Sequence, residues 1–282
     1  MLSKQLIEIA NLKQNKLSET ISARIELNDN GSIKNYELIE ALIKPNYQIT
    51  YEDTNQILDL EPREEYELIT LKNLLKKSTL YRQSNGALNF DTPYSKITLE
   101  NNVISIEKDN RTEAHQLISE AMILMGFVIS DYLSKRNIAA PFRSQKINCD
   151  ANNILERNSY SLVKYSILKQ YIGKSYISSK PGKHETLGLD SYVQATSPLR
   201  RYLDLIVQRQ LYLSFNKQET ISEDSINNII ENSKLKQFEL NNIIKENKLF
   251  YLRKFFKLNM NKLYKIIFIR WINHKKNIAL VF

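Results

Sequence analysis

Apolar and polar residues alternate through SARIEL and IKNYELIEALI on either side of NDNGS, so residues 22–43 read as a hairpin turned at Asn30-Gly31. Lys44-Pro45-Asn46 closes it. Segments 50–60 and 62–83 carry apolar residues at helical spacing, among them Leu68, Leu71, Leu74, Leu75 and Leu80. Pro62 fits a first-turn position, and Asn85-Gly86 stops the helix. SKITLE and VISIEK predict a second hairpin over 95–108, around Asn101-Asn102. Segment 113–136 is the most apolar helix, with Leu117, Ile118, Ala121, Met122, Leu124, Met125, Val128 and Leu133 leaving little of its surface polar. Segments 139–145 and 177–189 read as loops, and 159–172 as a weakly patterned helix. Thr196-Ser197-Pro198, a hydroxyl followed by proline, predicts a helix start that runs to about residue 215. Thr220 and Glu223 match a capping box for a long helix reaching about residue 258. KLYKIIFIRW and IALVF alternate as two final strands around 273–277. No internal repeat is present. Mixed helices and antiparallel hairpins with a long C-terminal helix place the chain in the α+β class.

Composition narrows the picture. With 282 residues, 42% hydrophobic and 10% aromatic, and 6 Gly and 6 Pro, the chain is one large domain or two small ones. Collagenous, low-complexity and disordered classes are excluded. The single cysteine, Cys149, excludes an internal disulfide framework, and with only His115, His184 and His274 beside it the chain argues against a structural zinc site. The longest apolar run, 121–130, is about half of what a membrane span needs. MLSKQLIEIANLKQ is an amphipathic start without the apolar region of a signal peptide. The expectation is a protein of the cytoplasm or an organelle stroma, such as that of a plastid, neither secreted nor in a membrane.

The net charge of +9 is concentrated at the C-terminal end. From Lys234 onward, twelve Lys and Arg face two acids, Glu239 and Glu246. A basic end on a near-neutral body points to an anionic partner, of which RNA or DNA is the commonest, or else to a solvated charged face.

The stretch richest in chemistry is YVQATSPLRRYLDLIVQRQL. It places Arg200 and Arg201 at a predicted helix N-terminus, where free N–H groups and the helix dipole already favour an anion. The dipole repels cations there, so the arginines need another reason. Either Asp204 pairs with one of them at helical spacing, or a phosphate sits against them. Arg209 follows on the same predicted helix.

TSPLRRYLDL resembles the signature of the RNB catalytic domain of the ribonuclease II and ribonuclease R exonucleases. QITYEDTNQIL, LYRQSNGALNFDTP, LISEAMILMGFVISDYL, AAPFRSQ and ISSKPGKHETLGLDSYVQATSPLRRY resemble further stretches of the same domain, over roughly residues 30–258. The resemblance implies a division into a partial RNB domain, 1–258, and two strands, 259–282, that would open an S1-like barrel. It implies 3′–5′ degradation of single-stranded RNA to nucleoside monophosphates with magnesium. It makes Arg200 the catalytic residue holding the scissile phosphate. Tyr51 would stack on a terminal base, since every base offers a π-face. Glu120 would read a ribose hydroxyl and so help tell RNA from DNA. Arg201, Arg209 and His184 are further candidate RNA contacts. The plainer readings make Tyr51 a helix-start residue packing on the hairpin, Glu120 a buried acid paired to an arginine, and His184 a support for the arginine segment.

One departure from the family is large. Its metal site is a cluster of aspartates, D-x-x-x-x-x-D-x-D-D, upstream of the tyrosine segment. Here Asp29 is the only aspartate before Tyr51, and Asp53, Asp59, Asp91, Asp109, Asp131, Asp150, Asp190, Asp204 and Asp224 are isolated. Magnesium-assisted phosphodiester hydrolysis needs clustered carboxylates, so magnesium is expected for the family while this sequence holds no complete site. The domains that precede the catalytic domain in the family also have no counterpart here. Gln208 stands where many relatives have His. Three explanations stay open: a separate chain supplies the aspartates, the start of the gene is wrongly placed, or the protein is a degenerate relative that binds RNA or serves assembly without cutting.

Overall fold

The computed structural model describes residues 2–88, 94–109, 111–148, 166 and 168–281. The elements run α1 (Lys4–Ala10), β1 (Ser18–Leu27), β2 (Ile33–Ile43), α2 (Tyr51–Leu60), a 3-10 turn (Arg63–Glu65), α3 (Tyr66–Ser84), β3 (Tyr94–Glu100), β4 (Val103–Asp109), α4 (Glu113–Lys135) and β5 (Phe142–Ser144). After these come β6 (Tyr176–Ser178), a second 3-10 turn (Glu185–Leu187), α5 (Tyr202–Phe215), α6 (Glu223–Leu258), β7 (Phe268–Asn273) and β8 (Ile278–Val281). The described strands pair as four antiparallel two-stranded sheets: β1–β2, β3–β4, β5–β6 and β7–β8. The class is α+β.

Two compact units emerge. The first comprises Met1–Asn89, Thr112–Lys146 and Lys174–Lys234. Its largest cluster joins Ile129 and Leu133 of α4, Phe142 of β5, Val193, Ala195, and Val207 and Leu211 of α5. Ile21 of β1 and Leu38 of β2 pack against that cluster, so the first hairpin lays one face on α4. Tyr36 donates its hydroxyl to Asp131 at 2.5 Å and fixes the register between β2 and the helix. A second cluster joins Leu58 of α2, Leu75 of α3, and Ala114 and Leu117 of α4. A third joins Ile206 of α5 to Ile226 and Ile230 of α6. By length and composition α4 could cross a membrane, but its residues take part in two of these clusters. Gly126 on α4 is required for close approach: a Cβ there would lie 2.4 Å from the Tyr192 ring and 2.4 Å from the Val193 carbonyl oxygen.

The second unit comprises Phe90–Arg111, Ile147–Gly173 and Leu235–Phe282. The β3–β4 turn uses Asn101 and Asn102, both with positive φ (48° and 63°), a backbone asparagine tolerates well. In β4, Ile104 is buried. On α6, Leu235, Phe238, Ile243 and Phe250 are exposed alongside the lysines.

Several boundaries differ from the pattern. The segments 139–145 and 177–189, expected as loops, contribute β5 and the end of β6, because three-residue strands carry too little alternation to register. Pro62 precedes a 3-10 turn, and α3 starts four residues later at Tyr66. Ser222, not Thr220, caps α6: its Oγ accepts the Ser225 N–H at 3.3 Å and its carbonyl accepts the Ile226 N–H at 3.0 Å. A full capping box forms instead at α2, where Thr50 and Asp53 exchange bonds. The first C-terminal strand begins at Phe268 because β8 offers only Ile278–Val281 to pair with. Most of the helix expected over 159–172 lies outside the described residues.

Phe142 is fully buried at the centre of the largest cluster. Phe142→Ala is expected to lower the unfolding free energy by about 3–5 kcal/mol in urea titrations.

Candidate functional site

The TSPLRR segment does not begin the helix as expected. Pro198 to Arg200 form a turn in which the Ser197 carbonyl accepts the Arg200 N–H at 3.3 Å and the Arg201 N–H at 3.0 Å. Arg201 is the N-cap, and α5 starts at Tyr202. The two arginines therefore stand on the turn before the helix and not in its first turn. The cause is Asp204, only 1% exposed. Its Oδ2 accepts the Ser197 N–H at 2.9 Å and Arg201 Nε at 2.9 Å, with Arg201 Nη2 at 2.7 Å. A buried carboxylate must be bonded, and Asp204 meets that need with the backbone it helps to fold. Upstream, Gln208 donates Nε2 to the Ala195 carbonyl at 2.8 Å. The turn is thus held from both sides.

This arrangement separates the paired arginines. Arg201 is committed to Asp204. Arg200 is exposed, and its contact within the protein is a 3.4 Å bond from Nη2 to Ser197 Oγ. Among the described residues Arg200 makes no ion pair. Arg209 is exposed on α5.

Glu120 takes the plainer of its two readings. Arg82 donates Nη2 to both of its carboxylate oxygens, at 2.6 and 2.5 Å, and donates Nη1 to the Leu187 carbonyl at 2.8 Å. The pair ties α3, α4 and the second 3-10 turn together. Tyr51 is 43% exposed and stacks on the His115 ring, with centroids 3.8 Å apart and planes 14° from parallel. It leans on α4 rather than on the hairpin, and one of its faces is already covered. His184 is buried, against the expectation of an RNA contact. Its ring meets Tyr192 edge-on at 5.6 Å, and Nδ1 lies 3.2 Å from Thr186 Oγ1. Burial, aided by the charge of Arg143, lowers its pKa from 6.5 to about 4.

Sequence reasoning assigned no role to Arg143 or Tyr192. Tyr192 is 8% exposed, and burial raises its pKa while the charges of Arg201, Arg143, Asp204 and Arg82 all reach it. Arg143 sits on β5, and burial followed by the nearby Arg201 lowers its pKa. The strand that places Arg143 is too short to be read from sequence. The charges that act on Tyr192 come from three arginines, Arg82, Arg143 and Arg201, and one acid, Asp204. Among the described residues no group of three or more His, Cys, Asp or Glu could hold a metal ion. Glu120 and Asp204 are each engaged by a guanidinium group and do not form a magnesium site.

The profile of the RNB domain matches residues 1–217. An uncharacterized ribonuclease of Synechocystis sp. is 26% identical over 273 residues, covering 96% of this chain and 41% of that protein. The chloroplastic/mitochondrial ribonuclease II of Arabidopsis thaliana is 30% identical over 215 residues, covering 74% of this chain and 27% of that protein. Both overlaps leave more than half of the relative unmatched. Among solved structures, an active-site mutant of the Dss1 exoribonuclease from Candida glabrata superposes with a TM-score of 0.85 at 18% identity, over 97% of this chain and 38% of that one. Mycoplasma genitalium RNase R in complex with ribose-methylated single-stranded RNA gives 0.69 at 19% identity, over 79% of this chain and 41% of that one. Yeast Ssd1, a pseudonuclease, gives 0.64 at 16% identity, over 84% of this chain and 34% of that one.

His184 supplies a pH signature. A histidine whose folded pKa is depressed favours the unfolded state once protonated. Its stabilising effect is complete above pH 6.5 and is lost as pH falls toward about 4. At about 1.4 kcal/mol per unit the loss is of the order of 3 kcal/mol. Denaturation midpoints measured from pH 7 to 4 are expected to fall less steeply for His184→Gln than for the unaltered protein.

Proposed function

The chain belongs to the RNB domain family of ribonuclease II- and ribonuclease R-type exoribonucleases, and from that premise we propose that it grips single-stranded RNA through Arg200 but does not hydrolyse it unaided. The observation that carries this reading is the split between neighbouring arginines. Arg201 is anchored to buried Asp204, and the anchor leaves Arg200 presented on a fixed turn without a carboxylate. A guanidinium in that state suits a phosphodiester oxygen, which it can meet with two parallel bonds. The basic C-terminal segment adds nonspecific attraction for a polyanion. Tyr51 offers one open face for stacking.

RNB-family exoribonucleases generally use magnesium. In this reading the carboxylates that would hold it come from outside these 282 residues, on a separate chain or on further sequence of the same one. The second reading is a non-catalytic RNA-binding protein, and the likeness of the fold to a pseudonuclease favours it. The site residues do not distinguish the two, because both need the same grip.

With a fluorescent single-stranded oligoribonucleotide, anisotropy is expected to show salt-sensitive binding that Arg200→Ala weakens by about tenfold, the equivalent of one charged hydrogen bond. With magnesium, the chain alone is expected to release no nucleoside monophosphate from labelled RNA. Rapid release would refute the carboxylate argument, and unchanged affinity in Arg200→Ala would refute the grip.

A further inference from the structure

Among the described residues the guanidinium of Arg143 has no hydrogen-bond or ion-pair partner to match its setting. β5 alternates buried, half-buried, buried across Phe142, Arg143 and Ser144. Phe142 and Ser144 therefore point into the core, and Arg143 points to the opposite face. The backbone beneath it is fixed on both sides. Arg143 pairs with Ile177 across β5–β6, and its N–H donates to the Tyr192 carbonyl at 2.8 Å. On the face where Arg143 emerges, the charges of Arg201, Asp204 and Tyr192 act on it, and Arg143 acts in turn on His184. Asp204 is the single acid in that set, and its Oδ2 is already taken by Arg201 and by the Ser197 N–H. Among the described residues the Arg143 side chain makes no hydrogen bond and no ion pair. Two guanidinium groups thus share one carboxylate, in a place partly withdrawn from water.

Such an imbalance is unfavourable in the free protein, where an uncompensated half-buried charge loses hydration without gaining a partner. It becomes favourable once an anion enters. We propose that Arg143 is a second phosphate-binding group, held on a rigid strand to take an RNA phosphate other than the one taken by Arg200. This rests on the RNA-binding reading above. The rival is a structural one, in which Arg143 swings to Asp204 Oδ1, a buried oxygen with no hydrogen bond of its own.

Arg143→Met and Arg143→Lys separate the two in the full chain. Without phosphate in the buffer, Arg143→Met is expected to melt at the same temperature as the unaltered protein or higher, because an unpaired cation is replaced by an apolar side chain. The same variant is expected to lose about tenfold in affinity for the single-stranded oligoribonucleotide. Its log–log salt dependence should become shallower by about 0.7, the contribution of one phosphate contact on a single strand. Arg143→Lys keeps the charge and loses the fork, so affinity should fall several-fold with the salt slope unchanged. Unchanged affinity and slope in Arg143→Met overturns the proposal. So does a lower melting temperature with affinity intact, the mark of a bond to Asp204. If Arg143→Met does not fold, Arg143→Lys decides, and no loss of affinity there overturns the proposal. If the unaltered protein binds no RNA, the RNA reading fails by itself. The anion site is then judged with inorganic phosphate: thermal protection of the unaltered protein but not of Arg143→Met keeps it, and equal or absent protection removes it.

Discussion

Asp204 decides the shape of the segment on which the rest depends. An aspartate side chain at 1% exposure needs hydrogen-bond partners inside the protein. The partners nearest in sequence lie on the turn before it, the Ser197 N–H and the Arg201 side chain. Accepting from both folds the turn back on the first coil of α5, delays the helix to Tyr202 and uses one arginine of the pair. Arg200 is left over by geometry, because a residue adjacent to a clamped one on a tight turn points elsewhere. The availability of Arg200 for an outside anion is therefore a consequence of how the buried carboxylate is satisfied.

A similar economy governs the other half of this region. Glu120 lies on the most apolar helix in the chain, and Arg82 comes to it from α3 with its second nitrogen on the Leu187 carbonyl. The bond ties the second 3-10 turn to α3 and α4, which already share the cluster of Leu75 and Leu117. Gly188, with φ of +64°, lets the chain turn tightly against the Arg82 carbonyl, where a Cβ would come within 2.5 Å. His184 and Tyr192, whose rings meet edge-on, are each only 8% exposed. Their role in the observed contacts is to pack and to exclude water around the arginines, which strengthens every charge interaction there.

Which parts were legible in the sequence follows from length and redundancy. Long elements with many apolar repeats were readable: α4 over Glu113–Lys135 and the first hairpin, turned at Gly31, sit where the pattern put them. β5 and β6 were not, since three residues cannot display a period. The start of α5 was misread because a hydroxyl followed by proline is a general signal, whereas the ionic clamp from Asp204 is specific to this fold and competes with it. The motif around Arg200 pointed to a cationic site correctly, but it could not say that Arg201 is spoken for. Glu120 and His184 were candidates for RNA contact by resemblance; the structure pairs half-buried Glu120 with Arg82 and buries His184. Arg143 stood in a stretch that had been noticed, yet only the side-to-side alternation of a strand invisible in the sequence reveals which way it faces.

Gripping a phosphate and cutting beside it make opposite electrostatic demands. A guanidinium group holds a phosphate best where no carboxylate competes for it, while a magnesium ion is held best by carboxylates that no guanidinium has claimed. The described residues meet the first demand. Glu120 and Asp204 each have an arginine already bonded to them, which lowers their worth as metal ligands, and Arg143 and Arg200 have none. The described residues thus supply cationic groups for a phosphate, and the carboxylates of a metal site would have to reach that same phosphate from elsewhere.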